Sequence, residues 1–193
     1  MQKLLLIRPG ATEYDRQGRI LGTIDMPLSD DGRRQVASSL DAIRAESPVA
    51  VYTSPCQSAT ETAGVIGEAL DLRVKTLDKL VNLDHGLWQG MLVEDVRSKQ
   101  PKVYRQWQEQ PETVCPPEGE TVMEAMQRVA AVLKKMVRKH RDDTVVALVA
   151  PEPLASVVRH VVRQDALGDL WKSAEVCGQW EAIEVPAALA GVS

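Results

Sequence analysis

The chain predicts an α/β fold, a mostly parallel sheet with helices on both faces in a single domain spanning residues 1–193. Three observations carry that prediction. Short, wholly apolar runs (Leu4-Leu5-Leu6-Ile7, Val49-Ala50-Val51-Tyr52 and Thr144 to Val149) read as parallel strands buried on both faces. Amphipathic stretches separate them, so strands alternate with helices as in βαβ units. A length of 193 residues, 44% hydrophobic and 26% charged, suits one globular domain with a full core.

Each element has a local reason. The first strand ends at Arg8-Pro9-Gly10-Ala11-Thr12, where an α/β sheet presents its chemistry. Ser29-Asp30-Asp31 opens a helix with a capping hydroxyl and acidic residues in the first turn, and Val36, Leu40 and Ile43 follow at helical spacing. The second strand ends at Thr53-Ser54-Pro55, and a helix over 58–70 places Ala59, Ala63, Ile66 and Leu70 on its inner face. Leu72 to Leu77 reads as a short third strand.

Residues 83–119 are irregular, punctuated by glycines and prolines, with helical pieces near Val93–Ser98 and Lys102–Glu109. An insertion of that length is usually functional, and it reads as a cap. Thr121-Val122-Met123-Glu124 is a capping box that opens a strongly amphipathic helix. Thr144 to Val149 is the next strand, Leu154 to Val162 the next helix, and Gln179 to Val185 a last, edge strand.

Bulk chemistry excludes several classes. A net charge of -4 gives no global field for nucleic acid or an anionic membrane. The basic run from Lys134 to Arg141 is the solvated face and last turn of a helix, where cations suit the dipole. No apolar segment is long enough to span a bilayer, and the chain enters a strand rather than a signal peptide. Cys56, Cys115 and Cys177 have no metal-ligand spacing, which predicts a reduced, cytoplasmic protein without metal or cofactor.

The motifs resemble those of the histidine phosphatase superfamily, the phosphoglycerate-mutase-like proteins, over roughly residues 3–165. Arg8 to Thr12 resembles the family's opening signature, and Gly18-Arg19, Gly22, Asp25, Pro27-Leu28-Ser29, Gly32 and Gln35 the stretch that follows. Tyr52-Thr53-Ser54-Pro55 with Glu61-Thr62-Ala63, the Gly86, Trp88 and Gly90 pattern, Pro117 to Thr121 and Arg128 extend the match. The resemblance implies a histidine nucleophile held by two arginines and a second histidine, with a carboxylate as proton donor. Those roles suit phosphoryl transfer, which is catalysed mainly by positioning and charge.

At the corresponding positions this chain keeps Arg8 but has Pro9 for the nucleophile, Asp15 for an asparagine, Ser58 for the second arginine, Asn82 for the proton donor and Pro151 for the second histidine. Those six positions, Arg8, Pro9, Asp15, Ser58, Asn82 and Pro151, are expected to form a vestigial pocket. Arg8, Asn82, His85 and Glu152 are its possible ligand-binding residues.

Losing a covalent nucleophile typically costs about 10⁴–10⁶ in rate. The expectation is therefore a catalytically inactive member with no catalytic residue and a binding or assembly role, its partner an unknown protein or small ligand. Two alternatives stand beside it. One is a phosphoester hydrolase, or another enzyme, using a non-family nucleophile in the same crevice, with Cys56 or His85 as the groups to test. The other is a small-molecule sensor using the old pocket. Cys56 also reads as a small core hydrophobe, and His140 and His160 as surface residues.

Overall fold

A computed structural model describes residues 2–140, 143–171, 176–186 and 189. Arg141, the end of the basic run, lies outside them. Five strands form one sheet: β1 (Gln2–Ile7), β2 (Ala50–Thr53), β3 (Val74–Thr76), β4 (Val145–Val149) and β5 (Trp180–Val185), in the order β3-β2-β4-β1-β5. The first four run parallel, and β5 closes the edge antiparallel to β1. The expected fold class is the observed one.

Strand alternation sorts the core into two faces. Leu4 and Leu6 of β1, with Val146 and Leu148 of β4, face one cluster, whereas Leu5, Ile7, Ala147 and Val149 face the other. The second cluster is closed by α2 (Asp30–Ala45) and α3 (Gln57–Leu70), through Ile43, Ala59, Ala63 and Ile66. The first is closed by α6 (Val122–Val137) and α7 (Leu154–Arg163). Helices on both faces follow from strands with no polar face to offer water.

The insertion lies on the α6/α7 side. Within it, α4 (Val93–Lys99) and α5 (Pro101–Glu109) send Val96 and Trp107 into the same buried cluster as Val122, Ala125 and Val129. Trp107 packs against the rings of Trp88, Trp171 and His85 at centroid distances of 5.4–5.7 Å. An aromatic cluster of this size anchors the segment by area alone.

One helix falls outside the sequence expectations. α1 (Glu13–Gln17) follows the first loop and is opened by a capping box between Thr12 and Asp15. Five residues are too few for hydrophobic periodicity to register. The loop before it lies close against α2, because a Cβ on Gly10 would stand 2.2 Å from the Gly32 carbonyl oxygen. No helix among the described residues is long and apolar enough to cross a membrane.

Candidate active site

The first loop, the N-terminal ends of α3 and α7 and the turn before β5 meet at one crevice. Arg8, Pro9, Gly10, Asp15, Leu21, Ser58, Pro151, Glu152 and Cys177 line it. Its place beyond the carboxyl ends of β1 and β4, both parallel, is where α/β sheets bind ligands. Five of the six expected pocket positions therefore converge, together with Glu152.

Asn82 sits behind the lining. Its Nδ2 donates to the carbonyls of Gly22 and Glu152 at 3.0 Å, and its Oδ1 accepts from the Leu154 amide at 3.2 Å. It thereby ties the segment between α1 and α2 to the start of α7. His85 lies in the aromatic cluster instead of the crevice, 1% exposed, with Nδ1 against the Leu83 carbonyl and no partner for Nε2. Burial pushes its pKa down to about 4. Neither His85 nor Cys56 lines the crevice. Cys56 packs against the α3-side core with its thiol 3.8 Å from the hydroxyls of Ser54 and Ser58, and burial raises its pKa.

Arg8 is buried and doubly paired. Its Nε meets Glu152 Oε1 at 3.0 Å, and its Nη1 meets Glu181 Oε1 at 2.8 Å. Glu181 in turn reaches Arg163 at 3.2 Å. Asp15 does not pair with Arg8: its Oδ2 accepts the Thr12 amide at 2.8 Å and the Thr12 hydroxyl at 2.7 Å, completing the α1 cap. Other loop amides are already bonded, Gly10 to Thr62 Oγ1 and Ala11 to Gln35 Oε1. Pro9 has no amide to offer.

Two site residues escaped the sequence reading, Cys177 and Glu181. Gly178, at φ +72°, turns the chain so that its amide donates to the Pro9 carbonyl at 2.8 Å, which brings both neighbours to Arg8. A glycine just before an edge strand was the available signal. Burial, with Asp15 and Glu152 nearby, pushes the Cys177 thiol far up, so it stays protonated.

Arg128 leaves the crevice to hold the 79–82 segment, donating to the carbonyls of Lys79, Val81 and Asn82 and pairing with Glu120. His140 and His160 are half-buried, a correction to their expected surface placement. His140 Nε2 meets the Tyr52 hydroxyl at 2.9 Å, and His160 Nδ1 bonds the Asp165 carbonyl. Among the described residues no group of three or more His, Cys, Asp or Glu could hold a metal ion.

The model of the histidine phosphatase superfamily, branch 1, matches residues 4–174. The chain belongs to that superfamily. It is 34% identical over 157 residues to phosphoserine phosphatase 1 of Hydrogenobacter thermophilus, covering 81% of this chain and 74% of that protein. It is 27% identical over 142 residues to glucosyl-3-phosphoglycerate phosphatase of Mycolicibacterium vanbaalenii, covering 74% of this chain and 63% of that one. Among solved structures, a mycobacterial glucosyl-3-phosphoglycerate phosphatase complexed with VO3 aligns with a TM-score of 0.81 at 23% identity, over 96% of this chain and 98% of that one. That last likeness concerns the fold.

These relatives correct the functional expectation. Proteins similar to this chain over most of its length are named phosphatases, which points to phosphatase-class activity rather than an inactive protein with a binding role.

Proposed function

We propose that this histidine phosphatase superfamily member is a phosphomonoester hydrolase whose reacting centre is the crevice around Arg8. One observation carries the reading: Arg8, Asp15, Ser58 and Glu152 converge on the cleft beyond the parallel strands, in a chain whose relatives are named phosphatases. In this reading, positions 9, 58, 82 and 151 carry replacements of the family's catalytic groups, and the remaining groups work differently.

Pro9 and Pro151 have no side-chain group able to attack phosphorus, and Cys177 stays protonated. Among the described residues Ser58 Oγ meets the Cys56 thiol, at 3.8 Å, and no base that would activate it. In this reading the lining carboxylates take proton-transfer and anion-holding roles instead of attack on phosphorus. Water is the attacking group. Arg8 stabilises charge on the phosphoryl oxygens through Nη2, which makes no hydrogen bond to the described residues. Asp15 Oδ1, likewise outside the α1 cap, accepts the proton from water as the new O–P bond forms. The P–O ester bond breaks, and the departing alcohol oxygen takes its proton from solvent. The products are an alcohol and inorganic phosphate.

Without a covalent nucleophile, about 10⁴–10⁶ in rate is forgone, so turnover is expected to be slow. The test is phosphate release from a panel of phosphomonoesters at high protein concentration, in chelator. The reading expects release by the parent and a loss of about 10²–10³ in Arg8→Ala, the size of one preorganised charge partner. Equal, background-level release from both proteins contradicts it.

A further inference from the structure

We propose that the Glu152 carboxylate is a built-in anion seated in the phosphoryl subsite, so that a phosphate group competes with it for Arg8. The inference rests on the reading of this crevice as a phosphoryl site and adds a competitor encoded in the chain.

Three observations carry it. First, one carboxylate joins the two anion-holding features that meet here. Glu152 Oε1 takes the Arg8 Nε–H at 3.0 Å, and Oε2 takes the Ser156 amide at 3.1 Å in the first turn of α7, a ten-residue helix. A guanidinium and a helix N-terminus are where a phosphate would bind. The Glu152 side chain is 8% exposed, so it is fitted into the protein and not resting on its rim.

Second, the loop and α7 amides beside the crevice are largely occupied. The amides of Gly10, Ala11, Thr12 and Leu154 are bonded to Thr62, Gln35, Asp15 and Asn82. The Ala155 amide donates to the Pro151 carbonyl. An anion that bridges Arg8 Nε and the Ser156 amide takes the two groups Glu152 now holds.

Third, the cavity left with Glu152 seated is about 20 Å³. That is room for roughly one water. Charge acts in the same direction, because Arg8 already serves Glu181 and Asp15 also lines the cleft. A phosphate approaching the seated state meets a surplus of carboxylates. Rotation of Glu152 outward opens the volume and frees both donors in one movement.

The consequence is quantitative. Apparent affinity equals intrinsic affinity reduced by the fraction of molecules with the seat vacant. A seat filled at least nine-tenths of the time weakens phosphate binding about tenfold or more.

Inorganic phosphate is the probe, titrated by calorimetry into the parent, Glu152→Gln and the Arg8→Ala/Glu152→Gln double variant. The expected result is binding at least tenfold tighter to Glu152→Gln than to the parent, with the gain erased in the double variant. Affinities for Glu152→Gln and parent within twofold overturn the proposal, as does a failure of both to bind. A second measurement needs no substitution: in the parent, phosphate should shift the amide resonance of Ser156 and the Nε–H of Arg8 together. Phosphate binding that moves neither overturns the proposal. These readouts involve no turnover. Tighter phosphate binding by Glu152→Gln in a protein that hydrolyses nothing supports the displacement and removes the hydrolase reading. Hydrolysis with unchanged phosphate affinity does the reverse.

Discussion

Arg8 sits between two glutamates, and each pairing says something different about the site. Glu181 comes from β5 and is shared with Arg163, which makes it part of the scaffold. The Glu152 carboxylate instead bonds to Arg8 and to the Ser156 amide in the first turn of α7. Replacing Glu181 with Gln should therefore reorient Arg8 and weaken both phosphate binding and turnover, whereas replacing Glu152 should strengthen phosphate binding. Opposite signs from two glutamates on one arginine are the expected outcome in paired titrations. Asp15→Asn should slow hydrolysis while also loosening the α1 cap, at about 0.5–2 kcal/mol of stability.

His85 makes a separate prediction at the same scale. Its pKa is about 4 in the folded protein against an ordinary 6.5, with desolvation the main cause and the Leu83 carbonyl and Asp84 opposing it. Between those values the unfolded chain binds the extra proton, so stability is complete above about 6.5 and falls as pH drops towards 4. His85→Phe should flatten that part of the stability profile. Urea melts of both proteins at pH 7 and pH 4.5 check this, and an equal acid-side loss in the variant contradicts it.

Among the elements, the α4–α5 insertion has Trp107 as its largest buried anchor. Trp107 is fully buried, stacked on Trp171 at 5.4 Å and edge-on to Trp88 at 5.7 Å. Trp107→Ala should destabilise the protein by about 3–5 kcal/mol, with chemical denaturation as the measurement. The loop between β1 and α1 depends on a backbone contact instead. A Cβ at Gly10 would meet the Gly32 carbonyl oxygen at 2.2 Å, so Gly10→Ala must push α2 away from the crevice. Overpacking of that kind costs about 1–3 kcal/mol.

The larger elements were legible in the sequence because their physics is local. Leu4–Ile7 and Val145–Val149 are apolar at every position, which suits strands covered on both faces. Thr121 and Glu124 state where α6 begins. What stayed hidden was pairing across long sequence distances. Nothing near Arg8 announces a glutamate 173 positions later in chain order (181 − 8) as its partner. The Thr12–Asp15 capping box is local, but it opens a helix too short for periodicity to reveal. Asn82 was legible as a site position, but its work as a tie between Gly22, Glu152 and Leu154 required the fold.

For the whole molecule, sheet order decides where the chemistry sits. β1 and β4 are central neighbours, so the loops after Ile7 and Val149 emerge side by side, and β5 brings Cys177 and Glu181 to the same end. Family membership and named phosphatase relatives point to phosphatase-class activity. In the proposed function, that end of the sheet hosts water attack beside Arg8, with a carboxylate taking the proton and no phosphorylated side chain at position 9. A slow hydrolase that never becomes phosphorylated is a narrow expectation. The most direct measurement is phosphate release from a phosphomonoester panel by the parent and Arg8→Ala proteins, run in ¹⁸O-labelled water. The account predicts release by the parent that falls about 10²–10³ in Arg8→Ala, with one label entering the phosphate and no protein-bound phosphate. Background-level release from both proteins, or a trapped phosphoenzyme, would contradict it.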